Sequence, residues 1–532
     1  MGIGRLTPSR RIRPGGGALG SIMCGLAVAT LFLSSCESPL RTRIKTLTEA
    51  YSSINDERAI YVDAASGDDS NPGTRELPKK TIQAGIDFTI SFLGTGTVKV
   101  KNGTYLQTDK LVIKEGASIE GGYGSNWVRQ DLVYKDTQTI VRGRDAASGA
   151  DSIVTAQTDP GVTSSTVISG ISFETGIGYQ SMTLVVKNAS PLFKYCIVSG
   201  NGGVGETIAV AVMTQSGFTQ ASEPVFNGCY IEGGVSIGNT YAVQAAGYSN
   251  ASFQYCLIVP GSSTSGSSFG IYFTACEVHV QSGGVVGVVA SAATSAVGVY
   301  GKNGILELED CHVAGGYAGA NTTGVYSDNC SGYIRNSTVY GGKGSTTSTG
   351  VLLTGADLPY VRNCTVNGGG STSVAYGILA YTSGAIIENC IIWSDNLATW
   401  SCAVAMYGIS SETLPSALNN CDLFNTKYWY GYSPDNNVTW YCFNATSNGG
   451  IPGMQSHLTG LGKSSSLNFS WSSVGFVNTA VDLTGSNWDL TASTPSFITT
   501  GGKNFSSLFT DDKAGDTRPA TGSWSMGAYQ YP

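Results

Sequence analysis

The feature that most restricts this chain is a short segment that recurs about every 27 residues through its middle. Aligning FKYCIV, FNGCYI, FQYCLI, VQSGGV, LEDCHV, IRNSTV, VRNCTV, IENCII and LNNCDL brings Cys196, Cys229, Cys256, Gly283, Cys311, Ser337, Cys364, Cys390 and Cys421 into one column. The intervals are 33, 27, 27, 28, 26, 27, 26 and 31 residues. A near-constant period of this size makes each repeat one turn of a solenoid, since a single repeat cannot bury its own apolar side. Such a rod is mostly scaffold, so function falls to its faces, loops and ends.

Three residues before the central position every residue is apolar, from Phe193, Phe226 and Phe253 to Val361, Ile387 and Leu418. Two residues after it the column is apolar again, from Val198 and Ile231 to Ile392 and Leu423. The position two before is polar throughout, including Glu309, Arg335, Arg362 and Glu388. Side chains alternate across a strand, so these columns belong to opposite faces. The alternation slips once, at Gly228, Asp310, Asn336, Asn363, Asn389 and Asn420, residue types that tolerate a left-handed backbone. Each turn therefore reads as strand, sharp bend, strand, with the central Cys facing inward. A third short strand follows each small-residue loop: GIYF, GVYG, GVYS, GVLL, GILA. Three strands per turn without helical periodicity predict an all-β, right-handed parallel β-helix. Nine turns make a rod of roughly 40 Å at the usual strand spacing. The LxxLxL spacing of a leucine-rich repeat is absent.

The ends carry different signals. Arg5, Arg10, Arg11 and Arg13 precede an apolar run from Ala18 to Leu33, too short for a comfortable membrane span. The run ends in Leu33-Ser34-Ser35-Cys36, which resembles the bacterial lipobox; the resemblance implies cleavage before Cys36 and its lipidation. Residues 1–35 are thus expected to be a lipoprotein signal and 36–58 a polar tether. Residues 59–145 contain Tyr61-Val62-Asp63, Gly67-Asp68-Asp69, Asn71-Pro72-Gly73-Thr74, Lys80-Thr81-Ile82-Gln83 and Gly103-Thr104-Tyr105. This stretch resembles the N-terminal domain of unknown function that opens many bacterial right-handed β-helix proteins. The resemblance implies an N-terminal cap and first coils, with TIQAGIDFTISF as a helix over the open edge. Residues 146–445 are expected to hold the repeats, with an aromatic insertion near 426–443, and 446–532 the C-terminal coils and cap, whose DDKAGDTRPATGSWSMGAYQY resembles the closing strand of such proteins. The likeness is specific for architecture, not for activity.

Net charge is −7, but residues 151–500 hold eight Lys or Arg against nineteen Asp or Glu, so the rod is acidic. That excludes nucleic acid as a partner and disfavours a polyanionic glycan along the rod. Thirteen Cys in an exported chain would usually imply disulfides. Stacked inward Cys side chains stay near the strand spacing of about 4.8 Å, too far for a relaxed disulfide. Seven of them are read as a buried thiol ladder. Cys402 and Cys442 fall outside the columns and form the candidate disulfide. There is no CxxC and there are only three His, so no zinc site or other cofactor is expected. The acids at 67–69 and 511–512 suit weak Ca2+ binding or plain turn chemistry.

Parallel β-helices often host pectate lyases, polygalacturonases and epimerases, yet the NTD and GHG motifs of polygalacturonases are absent. The nearest constellation is Glu307, Glu309, Asp310 and His312 with Arg335 and Arg362 one and two turns later. It reads as a charge ladder that fixes register, or as a carboxylate-binding or catalytic patch with His312 as base. The run Tyr272, Tyr300, Tyr326, Leu352, Leu379 is a sugar-stacking strip if outward and core if inward; we expect core. Tyr428, Trp429, Tyr430, Tyr432, Trp440 and Tyr441 crowd the late insertion, either as an exposed ligand-binding patch or as a folded-back cap. The expectation is an exported, membrane-anchored surface lipoprotein of the outer membrane or cell surface. Its non-catalytic β-helix would bind glycan or a host or matrix protein; a polysaccharide lyase or hydrolase is the alternative.

Overall fold

The computed structural model describes most of residues 58–530; the stretches 131–138, 147–151, 286–288, 408–416, 435–439 and 466–493, with a few shorter ones, lie outside the described residues. So do residues 1–57, and with them the signal segment, Cys36 and nearly all of the tether. The repeats belong to one compact unit, Ile60–Pro532.

The turns build three sheets, of 14, 12 and 15 strands among the described residues, parallel except for one late strand of the largest. We number the sheets in the order a turn visits them, as in Leu192–Lys194, Ile197–Ser199 and Gly203–Met213. A four-stranded sheet fills the corner between the second and third. The chain is a parallel β-helix, and the two apolar columns run through it in register. Phe193 pairs with Phe226, then Phe253, Val280, Leu308, Ile334, Val361, Ile387 and Leu418. Val198 leads the matching column through Ile231 and Ile258 to Leu423. No residue of either column is more than 2 % exposed. Phe193, Phe226 and Phe253 stack with ring centroids 4.7 and 5.1 Å apart.

The corner between the first and second sheets is the predicted parity slip. Tyr195, Gly228, Tyr255, Ser282, Asp310, Asn336, Asn363, Asn389 and Asn420 all have φ between 49° and 63°. This left-handed residue turns the following Cys inward. The ladder cysteines are free and buried, and each Sγ reaches carbonyl oxygens above and beside it, as Cys364 reaches Ile334 O at 3.3 Å and Arg362 O at 3.2 Å. Burial pushes the Cys311 thiol up to about 12, so it packs as a small hydrophobe.

Two expectations fail at the late end. Cys402 and Cys442 are both free: Cys402 lies opposite Tyr428 and Cys442 opposite Gly431, so the strand Tyr428–Ser433 separates them. The aromatic insertion is not an exposed patch. Trp429, Tyr430 and Tyr432 are buried in the main core, with Tyr430 and Tyr432 directly above the inward-facing Val404 and Met406. The insertion is one more turn of the third sheet, closed by an antiparallel strand, Tyr441–Phe443. Tyr428 and Trp440 pack partly buried on the outer side, and only Tyr441, 46 % accessible, is exposed.

At the other end helix α1 (Ile82–Phe88) starts at Thr81, whose side chain accepts from the Ala84 N–H, and buries Ile82 and Ile86 with Val62 and Val98. Helix α2 (Gly450–Gly460) sends Met454 and Leu458 into the same core. The closing segment does not add a further turn. It runs back along the corner between the first and second sheets. Asn336 Nδ2 donates to Asp511 O at 2.6 Å, Asn389 Nδ2 to Lys503 O at 2.6 Å, and Ala528 N to Thr365 Oγ1 at 3.0 Å.

Candidate functional site

The strands of the third sheet are the longest, and their register sorts the outer face into columns. Ile271, Val299 and Val325 point inward and are fully buried. Tyr272, Tyr300 and Tyr326, the next residue in each strand, therefore point outward and are half-buried, which corrects the expectation of core. The reason is a glycine column, Gly270, Gly298 and Gly324, at which the strand turns a corner and the alternation restarts. A side chain at Gly298 would stand 2.6 Å from Gly324 O. Tyr272 and Tyr300 stack at 5.0 Å, 5° from parallel, and Tyr300 meets Tyr326 edge-on at 4.8 Å. Burial, with Tyr326 and Asp328 nearby, pushes the Tyr300 phenol up to about 12, so it stays a neutral donor.

A polar column runs beside the tyrosines: Thr274, Lys302, Asp328, Thr354 and Tyr381. Lys302 Nζ lies 3.5 Å from Asp328, and Thr354 donates to Asp328 at 2.8 Å. Towards the other edge Asn239 Nδ2 donates to Glu206 at 3.4 Å and to the Tyr241 hydroxyl at 3.1 Å. Tyr241 stacks on Phe269 at 5.2 Å, and at the far end Tyr381 stacks on Tyr407 at 4.2 Å. The face thus pairs ring surfaces with hydroxyl, amide and charged groups turn by turn. Among the described outward positions of its central strands, Glu206 and Asp328 are the carboxylates. Four strand spacings separate them, about 19 Å along the rod, whereas paired glycosidase acids sit roughly 5–10 Å apart.

The charged candidates stand on the first sheet. Glu309, Arg335, Arg362 and Glu388 do share one outward column. They pair off as Arg335–Glu309 and Arg362–Glu388, both at 2.9 Å. The closing segment covers them: Arg335 lies between Tyr333 (4.2 Å) and Phe509 (5.7 Å), and Arg362 between Tyr360 (4.2 Å) and Phe505 (5.1 Å). His312 is not part of this patch. It has passed the corner onto the second sheet, where its Nδ1 lies 2.7 Å from Thr338 Oγ1. His279, which lies before a bend and has no evident partner in the sequence, stands in the column of Glu307 and Tyr333, directly opposite Glu307. Its Nε2 is buried without a hydrogen-bond partner, while the Tyr333 hydroxyl donates to Glu307 at 3.3 Å. Register counted two residues back from the known column would have set His279 opposite Glu307.

The acids proposed for weak Ca2+ are engaged in turns. Asp69 accepts from Lys80 N, Thr81 N and Thr81 Oγ1, and Asp512 from Asp516 N and Gln530 N. Burial raises the Asp512 pKa above the ordinary carboxylate range. No helix among the described residues is long and apolar enough to cross a membrane.

No family model and no curated protein matches this chain. Solved structures match it by fold. The ORF18 protein of Geobacillus virus E2 aligns over 65 % of this chain and 63 % of its own, at 13 % identity and a TM-score of 0.36. The tailspike gp49 of Acinetobacter baumannii bacteriophage Fri1, a capsular polysaccharide depolymerase, aligns over 69 % and 57 %, at 12 % identity and 0.34. The A-module of the Azotobacter vinelandii mannuronan C-5 epimerase AlgE6 aligns over 67 % and 92 %, at 13 % identity and 0.33. The chain spans less than two thirds of the length of the first two. At this identity the likeness is one of architecture alone.

Proposed function

We propose that the protein is a cell-envelope lipoprotein, exported and anchored through Cys36 at the outer membrane or cell surface, whose β-helix holds a glycan without cleaving it. The observation that carries this reading is the outward column of Tyr272, Tyr300 and Tyr326 beside the polar column of Thr274, Lys302, Asp328 and Thr354. Flat aromatic faces suit the apolar faces of sugar rings, and the adjoining groups suit their hydroxyls. The wide separation of Glu206 and Asp328 argues for binding rather than hydrolysis on this face. In this reading residues 36–58 tether a rod that α1 caps at one end and α2 at the other. The test is affinity for a panel of neutral polysaccharides, using the chain from Glu37 onward. Replacing Tyr272, Tyr300 and Tyr326 together by Ala should weaken binding by about tenfold or more. Unchanged affinity in that variant, or binding to a matrix protein alone, overturns the reading.

One observation favours a carbohydrate-active enzyme as the second reading: the buried, unpartnered Nε2 of His279 in the column of Glu307 and Tyr333, beside Arg335. A base, an acid and a cation on one sheet face are what proton abstraction from a uronic sugar requires. Unsaturated or reducing-end products that disappear in His279→Ala would replace the binding reading with this one.

A further inference from the structure

The corner between the first and second sheets places a left-handed residue in each of the nine aligned turns, and in two early ones that residue is a tyrosine. Tyr195 (φ 52°) and Tyr255 (φ 54°) are 51 % and 58 % exposed. A bulky aromatic in this conformation is uncommon, and the later turns place Asn336, Asn363, Asn389 and Asn420 there instead. Strain of this kind points from the outlier towards a use. The backbone is held by the ladder: Tyr195 N donates to Asn227 O and Tyr255 N to Gln281 O, both at 3.0 Å.

Small residues follow both tyrosines one turn on. Gly228 follows Tyr195 one turn on, and a Cβ there would stand 2.8 Å from two Tyr195 ring atoms, so the ring lies against the Gly228 backbone while about half of the residue stays exposed. Ser282, also small, follows Tyr255 one turn on. Beside the rings Asn227 Nδ2 donates to Gln254 Oε1 at 3.2 Å, leaving an amide pair between the two tyrosines. The outward positions flanking this stretch are Lys194, Asn227, Gln254 and Gln281 before the bend and Ile197, Tyr230, Leu257 and Gly284 after it. They carry one charge, that of Lys194.

We propose that Tyr195 and Tyr255, with the Asn227–Gln254 amide pair between them, form a second carbohydrate site, specific for a short neutral oligosaccharide. Two ring faces two turns apart, about 10 Å, match platforms for separate sugars of one extended chain, and the amides between them meet hydroxyls. Among these flanking positions a polyanionic chain meets a single lysine. The inference rests on the reading that this rod holds glycan, but it uses a different face from the third-sheet column.

The experiment titrates the chain from Glu37 onward with cellohexaose, maltohexaose and mannohexaose, with oligogalacturonate as the charged control. The variant is Tyr195→Asn with Tyr255→Asn, which installs the residue the later turns use in the same backbone conformation and so keeps the fold. The expected result is that one neutral hexamer binds, that the double variant loses at least tenfold in affinity, and that its melting temperature is equal or higher. The Tyr272, Tyr300 and Tyr326 triple variant should retain the corner's share of binding. Unchanged affinity in the corner variant overturns this site and leaves the third-sheet reading standing. Loss in the triple variant alone does the same. Failure of the intact chain to bind any neutral hexamer, or preference for oligogalacturonate, overturns the corner proposal outright.

Discussion

The same corner is built twice in this rod, once bare and once covered. In the early turns the left-handed position holds Tyr195, Gly228, Tyr255 and Ser282, and the tyrosines stand in solvent. In the later turns it holds Asn336, Asn363 and Asn389, each no more than 1 % exposed beneath the closing segment. Backbone geometry is shared; what differs is the neighbour. Where a strand-less segment must be gripped, the side chain is an amide that both donates and accepts: Asn389 gives Nδ2 to Lys503 O and takes Lys503 N at 2.7 Å. Where nothing is gripped, the position is released to carry an aromatic ring. One backbone solution thus serves two purposes along a single column.

Swapping residues between the two halves tests that comparison. The largest effect is expected for Asn363→Tyr, which forces a ring under the covering segment. Overpacking with a stranded hydroxyl should cost about 3 kcal/mol of unfolding free energy, read from denaturant titration, and a small cost would show that the segment is loosely held. Next comes Asn389→Ala, which loses both bonds to Lys503 and the tolerance for positive φ. It should cost about 2 kcal/mol and open the closing segment to limited proteolysis. The smallest effect is expected inside. Cys256→Ser in the early half and Cys364→Ser in the late half should each cost about 1 kcal/mol, because Ser337 already occupies that column. Unequal costs would mean that the two halves differ in their cores as well as at their corner.

Much of this was legible in the sequence. The Phe193-to-Leu418 and Val198-to-Leu423 columns survive in register because each position is repeated, and repetition averages out local exceptions. The bend was legible where Asn, Asp or Gly marked it, and not at Tyr195 or Tyr255, whose side chains do not favour that backbone. The direction of Tyr272, Tyr300 and Tyr326 was not legible either. A two-residue alternation cannot be carried across a glycine at which the strand turns, and Gly270, Gly298 and Gly324 are such points. Nor was the fate of the Tyr/Trp insertion, since an aromatic run reads the same whether it caps a core or offers a surface. His312 failed for the same reason as the tyrosines: one residue past the corner is another face. The return of residues 502–530 left no periodic trace, because its contacts join positions 114 to 175 residues apart and each occurs once.

That return has a consequence for how the molecule is made. A coil whose contacts are mainly between successive turns can wind from its beginning as the chain emerges. The grip on Asn336, Thr365 and Asn389 comes from Asp511, Ala528 and Lys503, which are synthesised more than a hundred residues after the coils they hold. Until they arrive, Phe505 and Phe509 are missing from the outer sides of Arg362 and Arg335, and the late corner stays bare. The segment from residue 502 to 530 therefore acts as a latch that can be thrown only after the coils it grips have been made, and a chain that stops before it is left with a wound but unlatched flank.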